Sequence, residues 1–409
     1  MSLPRIDEIG IQPAHVAWDL ADDPGDNAAL LGEVHATEER RTLLAFLRKE
    51  VPVAKTCKAF LRAPYCRPTI HRRTIYLQLE DGGVFAIKGT EPHAGDLREE
   101  VRYLEAMRAP FYASMLNDFA LSEHKVPMAM TLDEAMAEAH TTLAFQRRYV
   151  QWFGRVARMP LHVLVYRWGA DVQERLLDAV LPSLCATAQR GTRRLVSEGL
   201  GALVYYYPSL PLRASQQAAD KIAPLSQIGG LGLPFGTGIH DRAGASFASR
   251  FEALQERSDP WNVVQSWIAL LADMLMIGYF PLHTYFMGHC LQAQNLCIDG
   301  GVADTDSLHP MAGLPDDTFY ELFAQSVGEL TKGSVVYITG TYIGRYTDQL
   351  IGVTIWQLLH EQLRTRIRER APEDPRLARL MSAPPLELLD RVLRATLTGH
   401  VPSNAPIIG

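Results

Sequence analysis

Between Gly288 and Pro310 the chain reads GHCLQAQNLCIDGGVADTDSLHP, and its residue types suit a hard metal ion. Asn295 offers an amide oxygen, while Asp304 and Asp306 offer carboxylates. A short strand from Leu296 to Ile298 is expected to turn at Asp299-Gly300-Gly301 and return through Val302 and Ala303. Adjacent glycines supply the positive φ that tight hairpins need. Such a hairpin sets Asn295 and Asp304 beside each other at the ends of neighbouring strands. An amide oxygen and a carboxylate placed so can share a magnesium ion, which prefers oxygen ligands and keeps substrate phosphates in the rest of its shell. Asp306 is a further candidate ligand, or simply the start of a loop. His289, upstream of Asn295, could carry a proton near a transferred group or order the loop by hydrogen bonding.

A second set lies nearer the N-terminus. Lys88 ends an apolar strand, VFAIK, much as the strand lysine of protein kinases ends its V-A-I-K. An ammonium there can contact α- and β-phosphates, provided a carboxylate holds it. The next helix supplies candidates. Asp96 is a good N-cap, and Glu99 three residues on completes a capping pattern, so Glu99 points away. At about 100° per residue Glu100 lies beside Leu104 and Met107 on the inward side. Glu100 is the expected partner of Lys88, and Glu105, bordering the apolar face through Val101, is the second choice. No GxGxxG precedes the strand. Its place as a phosphate flap falls to the hairpin at Asp81-Gly82-Gly83, or to Arg72 and Arg73. Both arginines belong to an acid-free run, Val51 to Leu79, which also holds Lys55, Lys58, Arg62 and Arg67. That run is either a solvated face or a phosphate-contacting surface. The glycine-rich GGLGLPFGTG, 229–238, reads as a lid or substrate loop.

The arrangement resembles the catalytic loop and metal-binding aspartate of kinase-like enzymes. Its local likeness is to the SelO family of kinase-fold protein adenylyltransferases. There an Asn begins a short hairpin and the metal-binding Asp lies nine residues later, as Asn295 and Asp304 do. Aminoglycoside-phosphotransferase-like kinases share the general plan. The resemblance implies ATP and Mg2+ as cofactors, with Asn295, Asp304 and Asp306 on the metal and Lys88, Glu100, Arg72 and Arg73 on the nucleotide. It also implies a catalytic Asp in the loop, and here the chain departs: Gln294 precedes Asn295, and no acid lies between His289 and Asn295. His289 and Gln294 therefore stand as the candidate catalytic positions. The Gln-Asn pair is similar to that of aerobactin-type siderophore synthetases, whose loop carries His-x-Gln-Asn; Gln292 stands where that His would be. Those enzymes adenylate a carboxylate and need no kinase-style base.

The elements that must position these residues follow from the pattern. A chain of 409 residues exceeds the size at which one core stops growing, so two lobes are expected. Residues 1–45 read as an N-terminal extension, irregular at first, with a helix beginning near Thr37 that carries Leu43, Leu44 and Leu47 on one face. Residues 46–130 read as a small β-rich lobe, with strands at Thr74 to Leu79 and Val84 to Lys88. Residues 131–409 read as a helical lobe, mostly helical between Leu132 and Glu198. A strong helix runs from Trp261 to Tyr279, bounded by Asp259-Pro260 and by Gly278 and Pro281. The expected fold is α+β, a two-lobed protein-kinase-like architecture.

Composition narrows the class. A net charge of −6 argues against a dedicated nucleic-acid binder, which needs a basic footprint. The five cysteines are scattered and form no CxxC, so neither a zinc site nor a disulfide framework is suggested, and free thiols suit a reducing cytoplasm. The N-terminus has no apolar h-region. The most apolar segment, Trp267 to Phe280, is broken by Asp273 and is shorter than the ~20 residues a membrane span needs, so a buried helix is expected. Composition thus favours a soluble, cytoplasmic protein with neither nucleic acid nor membrane as partner, and the motifs with the kinase-like resemblance imply a Mg-ATP-dependent transferase acting on a protein or small-molecule acceptor. A carboxylate-activating ligase and a nucleotide-binding pseudokinase are the alternatives.

Overall fold

The computed structural model describes residues 9–57, 74–106, 115–122, 125–209, 211, 214, 260–281, 291, 295–305, 308–339 and 345–382. These mixed α+β elements fall into two compact units. The first takes the described residues up to 143 and those from 160 to 209. The second takes 144–159, 211, 214 and everything described from 260 onward.

In the first unit, β1 (Ile9–Pro13) pairs with β3 (Glu50–Ala54) as an antiparallel ribbon. A six-stranded antiparallel sheet runs in the order β2 (Val16–Asp19), β7 (Leu161–Arg167), β8 (Leu200–Tyr207), β5 (Val84–Lys88) and β4 (Thr74–Gln78). The short β6 (Met130–Thr131) also pairs with β8. β8, LGALVYYY, is buried at every position, which is why its sequence is a continuous apolar run without alternation. The β4–β5 hairpin forms at the glycine turn. Gly82 takes φ +91°, Asp81 Oδ1 accepts from the Gly83 amide at 2.9 Å, and Arg40 Nε donates to Asp81 Oδ2 at 2.8 Å.

Helices α1 (Ala28–Val34), α2 (Glu38–Leu47), α3 (Leu97–Ala106), α4 (Met115–Ser122), the first half of α5 (Leu132–Phe153), α6 (Ala170–Val180) and α7 (Ala186–Glu198) complete this unit. Thr37 caps α2 by accepting from the Arg40 amide at 3.2 Å, and Leu43, Leu44 and Leu47 form its buried face. α5 lays Leu132, Ala135 and Ala139 against Val165 of β7 and Leu203 of β8 in one core cluster.

Residues 9–45 are built into this unit rather than appended to it. β2 pairs with β7 and β1 with β3, while Leu20, Leu30 and Val34 are buried. Local sequence gives no sign of this, because the strands are short and β7 is far along the chain. The sheet also continues past residue 130, through β7 and β8. β7 occupies a stretch whose pattern reads as helical. Its alternation is broken by a bulge at Val163: His162 pairs with Tyr205 and Leu164 with Val204, so one extra residue enters the strand.

The second unit holds α8 (Pro260–Met276), α9 (Asp316–Thr339), α10 (Arg345–Glu369), α11 (Pro375–Ser382) and an antiparallel ribbon of β9 (Tyr279–Pro281) and β10 (Leu308–Pro310). α8 starts at Pro260, where a missing amide is harmless, and stops before Gly278 at φ +78°. It packs on α9 and α10 with Trp267, Ile268, Leu271 and Leu275 buried. Asp273, in the middle of this apolar helix, is matched by polar partners. Tyr149 Oη donates to its Oδ2 at 2.7 Å and Arg366 Nε to its Oδ1 at 3.0 Å. Arg376 is likewise buried, bonded to Asp374 and donating to the Met311 carbonyl at 3.1 Å. Among the described residues, no helix is long and apolar enough to cross a membrane.

Candidate functional site

In the first unit, β5 ends where Gly89 takes φ +101°, and a Cβ there would stand 2.9 Å from the Gly201 carbonyl oxygen. Lys88, the last strand residue, donates from Nζ to both carboxylate oxygens of Glu138, at 3.1 and 2.9 Å. Their side chains are 16% and 7% exposed, so the pair is largely desolvated. His162 on β7 is fully buried and sets Nε2 3.5 Å from Glu138 Oε1. Burial alone pushes the Glu138 carboxyl up. The Lys88 charge, with His162 beside it, outweighs burial and holds the group below the ordinary carboxylate range. An ionised carboxylate thus fixes an ammonium at a strand end.

In the second unit the residues from Asn295 to Asp304 form the expected hairpin. The Ala303 amide donates to the Asn295 carbonyl at 2.7 Å, Leu296 bridges Val302, and the Cys297 amide donates to the Gly301 carbonyl at 2.9 Å. Gly300 takes φ +87°, and Asp299 Oδ1 accepts from the Gly301 amide at 3.0 Å. Neighbours tie the hairpin down. Trp267 Nε1 of α8 donates to the Cys297 carbonyl at 2.7 Å, the Val302 amide donates to the Arg158 carbonyl at 3.0 Å, and the Arg158 guanidinium donates to the Asp299 carbonyl. Asn295 is buried and Asp304 half-buried, at the ends of the paired segments. One amide and one carboxylate fit a hard divalent cation that arrives with phosphates and water. They are too few for an all-protein cage, and among the described residues no group of three or more His, Cys, Asp or Glu is gathered for a metal.

Glu138 of α5 is thus a carboxylate on Lys88 that the reading of the next helix does not name. Glu100 is buried on α3. There burial, then the charges of Asp96, Glu100 and Glu91, push the Cys57 thiol up. Asp96 does not simply complete a capping box. Its Oδ1 accepts from the Cys57 amide, and the amides of Glu99 and Glu100 donate to its backbone carbonyl at 3.0 and 3.1 Å. The side chain of Glu105 lies outside the described residues, as do His289, Gln292, Gln294, Asp306, Arg72, Arg73 and the 229–238 loop. Glu138 is 50 residues from Lys88, so no local motif announces it. A signal does exist. Glu138 shares helical spacing with Ala135, Ala139 and Thr142, all buried, and an acid on an inward stripe requires a buried partner. No protein-family model matches the chain, and no curated protein matches it.

Proposed function

We propose that this chain is a magnesium- and ATP-dependent transferase that moves a phosphoryl or AMP group to a protein or small-molecule acceptor. The observation that carries the reading is the buried Lys88–Glu138 pair at the end of β5. Such a pair is a poor source of stability, because desolvating both charges offsets their attraction. It suits a polyphosphate, which an ammonium fixed by a carboxylate can contact at its α- and β-oxygens. In the second unit, Asn295 and Asp304 would hold the metal. A magnesium ion supplies charge neutralisation at phosphate oxygens. A two-lobed kinase-like arrangement belongs to the same proposal. It is supported by an antiparallel sheet whose lysine is held from a covering helix, and by an apolar helix, α8, that precedes the hairpin in the chain. A reducing, cytoplasmic setting goes with it, as Cys57, Cys185 and Cys297 are free thiols.

A carboxylate-activating ligase is the second reading, favoured by Gln294-Asn295 and the acid-free loop before them. A carboxylate is already ionised at neutral pH and needs no base. Incubation with magnesium and ATP labelled at the α- or γ-phosphate separates these readings. Label passing from the γ-position indicates a kinase, and label retained from the α-position indicates an adenylyltransferase. Release of AMP and pyrophosphate only with an acid and an amine indicates a ligase. Nucleotide binding without turnover indicates a pseudokinase. Absence of magnesium-dependent ATP binding in the wild-type chain would overturn the proposal.

A further inference from the structure

We infer that His162 is a positioning residue: it holds the Glu138 carboxylate in the orientation that keeps the Lys88 ammonium at the end of β5. Its meaning for catalysis rests on the phosphate-binding reading of Lys88, but its geometry stands without it.

Strand register is the first support. Directly paired residues in a sheet point to the same face. Across β5 and β8, Lys88 pairs with Leu203 and Ala86 with Tyr205. Across β8 and β7, Tyr205 pairs with His162 and Leu203 with Val165. Lys88, Leu203, Tyr205, His162 and Val165 therefore share one face, and α5 covers it, since Ala135 and Ala139 pack on Val165 and Leu203. His162 and Val165 are three residues apart, and a regular strand would place them on opposite faces. The bulge at Val163 supplies the extra residue that turns both inward.

The second support is what the imidazole meets. A buried ring nitrogen is unfavourable unless it is hydrogen-bonded. Nε2 stands 3.5 Å from Glu138 Oε1, at the outer edge of hydrogen-bond range, and the ring lies edge-on to Tyr205 with centroids 5.7 Å apart. Neither ring nitrogen makes a hydrogen bond of full geometry among the described residues, and Nε2 is the one that faces an acceptor. The proton of a neutral ring therefore belongs on Nε2, facing the carboxylate; on Nδ1 it would be buried without an acceptor, and two lone pairs would confront each other. Glu138 Oε1 is then shared by Lys88 and His162, while Oε2 faces Lys88. Lysine and glutamate are both long, flexible side chains and cannot fix each other alone. A ring anchored on a central strand can. It also leaves Glu138 a partner when an anion draws on the Lys88 charge.

The test needs no nucleotide. Brief acetic anhydride labelling of the folded protein at one mildly alkaline pH is read by mass spectrometry, with Lys125 and Lys332 as internal standards. Glu138→Gln should raise Lys88 labelling roughly tenfold, as expected for the loss of a hydrogen bond to a charged group. His162→Leu, which stays apolar but removes the donor, should raise it several-fold. His162→Gln, which restores an N–H, should bring it back toward wild type. In the Glu138→Gln background His162→Leu should add nothing, because His162 acts through Glu138. Wild-type labelling in His162→Leu, or a full extra increase in the double variant, would overturn the inference. If His162→Leu does not fold, His162→Asn, whose amide is too short to reach Glu138, replaces it against His162→Gln, and equal labelling of those two overturns the inference. Binding of a non-hydrolysable ATP analogue with magnesium is measured on the wild-type chain in parallel. The stated labelling pattern without such binding sinks the transferase reading alone; binding without the pattern sinks the His162 inference alone.

Discussion

At the scale of single residues, the two candidate sites make different demands on a substitution. Asp304 is half-buried at a hairpin end, and under the proposed function its carboxylate holds the metal. Asp304→Ala should abolish magnesium-dependent turnover while the circular dichroism spectrum and melting temperature stay close to wild type. Turnover within a few-fold of wild type removes Asp304 from the site. Lys88→Ala and Glu138→Ala should each weaken ATP binding, and the double variant should lose little more than either single one, since the two side chains touch. Additive losses in a titration would separate them. Lys88 was legible in the sequence because VFAIK is a local motif, whereas its partner comes from a helix fifty positions later. His93, outside both sites, gives a pH signature. It stands edge-on to Trp168 at 4.4 Å, and burial, then the Arg175 charge, push its imidazole down to about 4, with Asp171 opposing. The unfolded chain, titrating near ~6.5, binds more protons between these values. Stability from this group is therefore full above ~6.5 and falls as pH drops toward 4, by up to about 3 kcal/mol. Urea midpoints should decline across that window, and His93→Phe should flatten the decline; an unchanged slope assigns it to other groups.

Among the elements, the hairpin and the β4–β5 turn were readable because glycine turns are local chemistry. β7 was not, because its bulge erases the alternation that marks a strand. Gly300 shows how tightly the hairpin is set. Its φ is +87°, and a Cβ there would meet the Ser266 Cβ at 2.5 Å. Gly300→Ala should destabilise the second unit by about 2 kcal/mol and reduce turnover beyond what lost stability explains. A wild-type melting curve would contradict that. Asp273 appeared in the sequence only as a blemish in an apolar helix. In the fold it receives Tyr149 and Arg366, and burial, then the Asp273 charge and hydrogen bond, push the Tyr149 phenol up. Asp273→Ala, which strands Tyr149 and Arg366 and also removes the carboxylate near Arg155, should lower stability by about 3–5 kcal/mol in chemical unfolding. A loss below ~1 kcal/mol would mean that water replaces the carboxylate.

For the molecule as a whole, a chain read as extension, β-rich lobe and helical lobe proves to be interleaved, with the first unit drawing on residues before 45 and after 160. Removal of residues 1–26 takes away β1 and β2 and bares the edges of β3 and β7. The truncated chain should melt lower and self-associate on size exclusion, as uncovered strand edges do; a full-length-like melting profile and a monodisperse peak would restore the extension reading. The same pairing imposes a timetable on synthesis. Val16 pairs with Tyr166, which is made 150 residues later. At about 5–20 residues per second, β2 waits roughly 8 to 30 s for its neighbour. Thr74 and Lys88 of the β4–β5 hairpin are only 14 residues apart and meet almost at once. β2 leaves the ribosome early but settles late, and β8, which joins β7 to β5 and is made after both, sets the clock for the whole sheet.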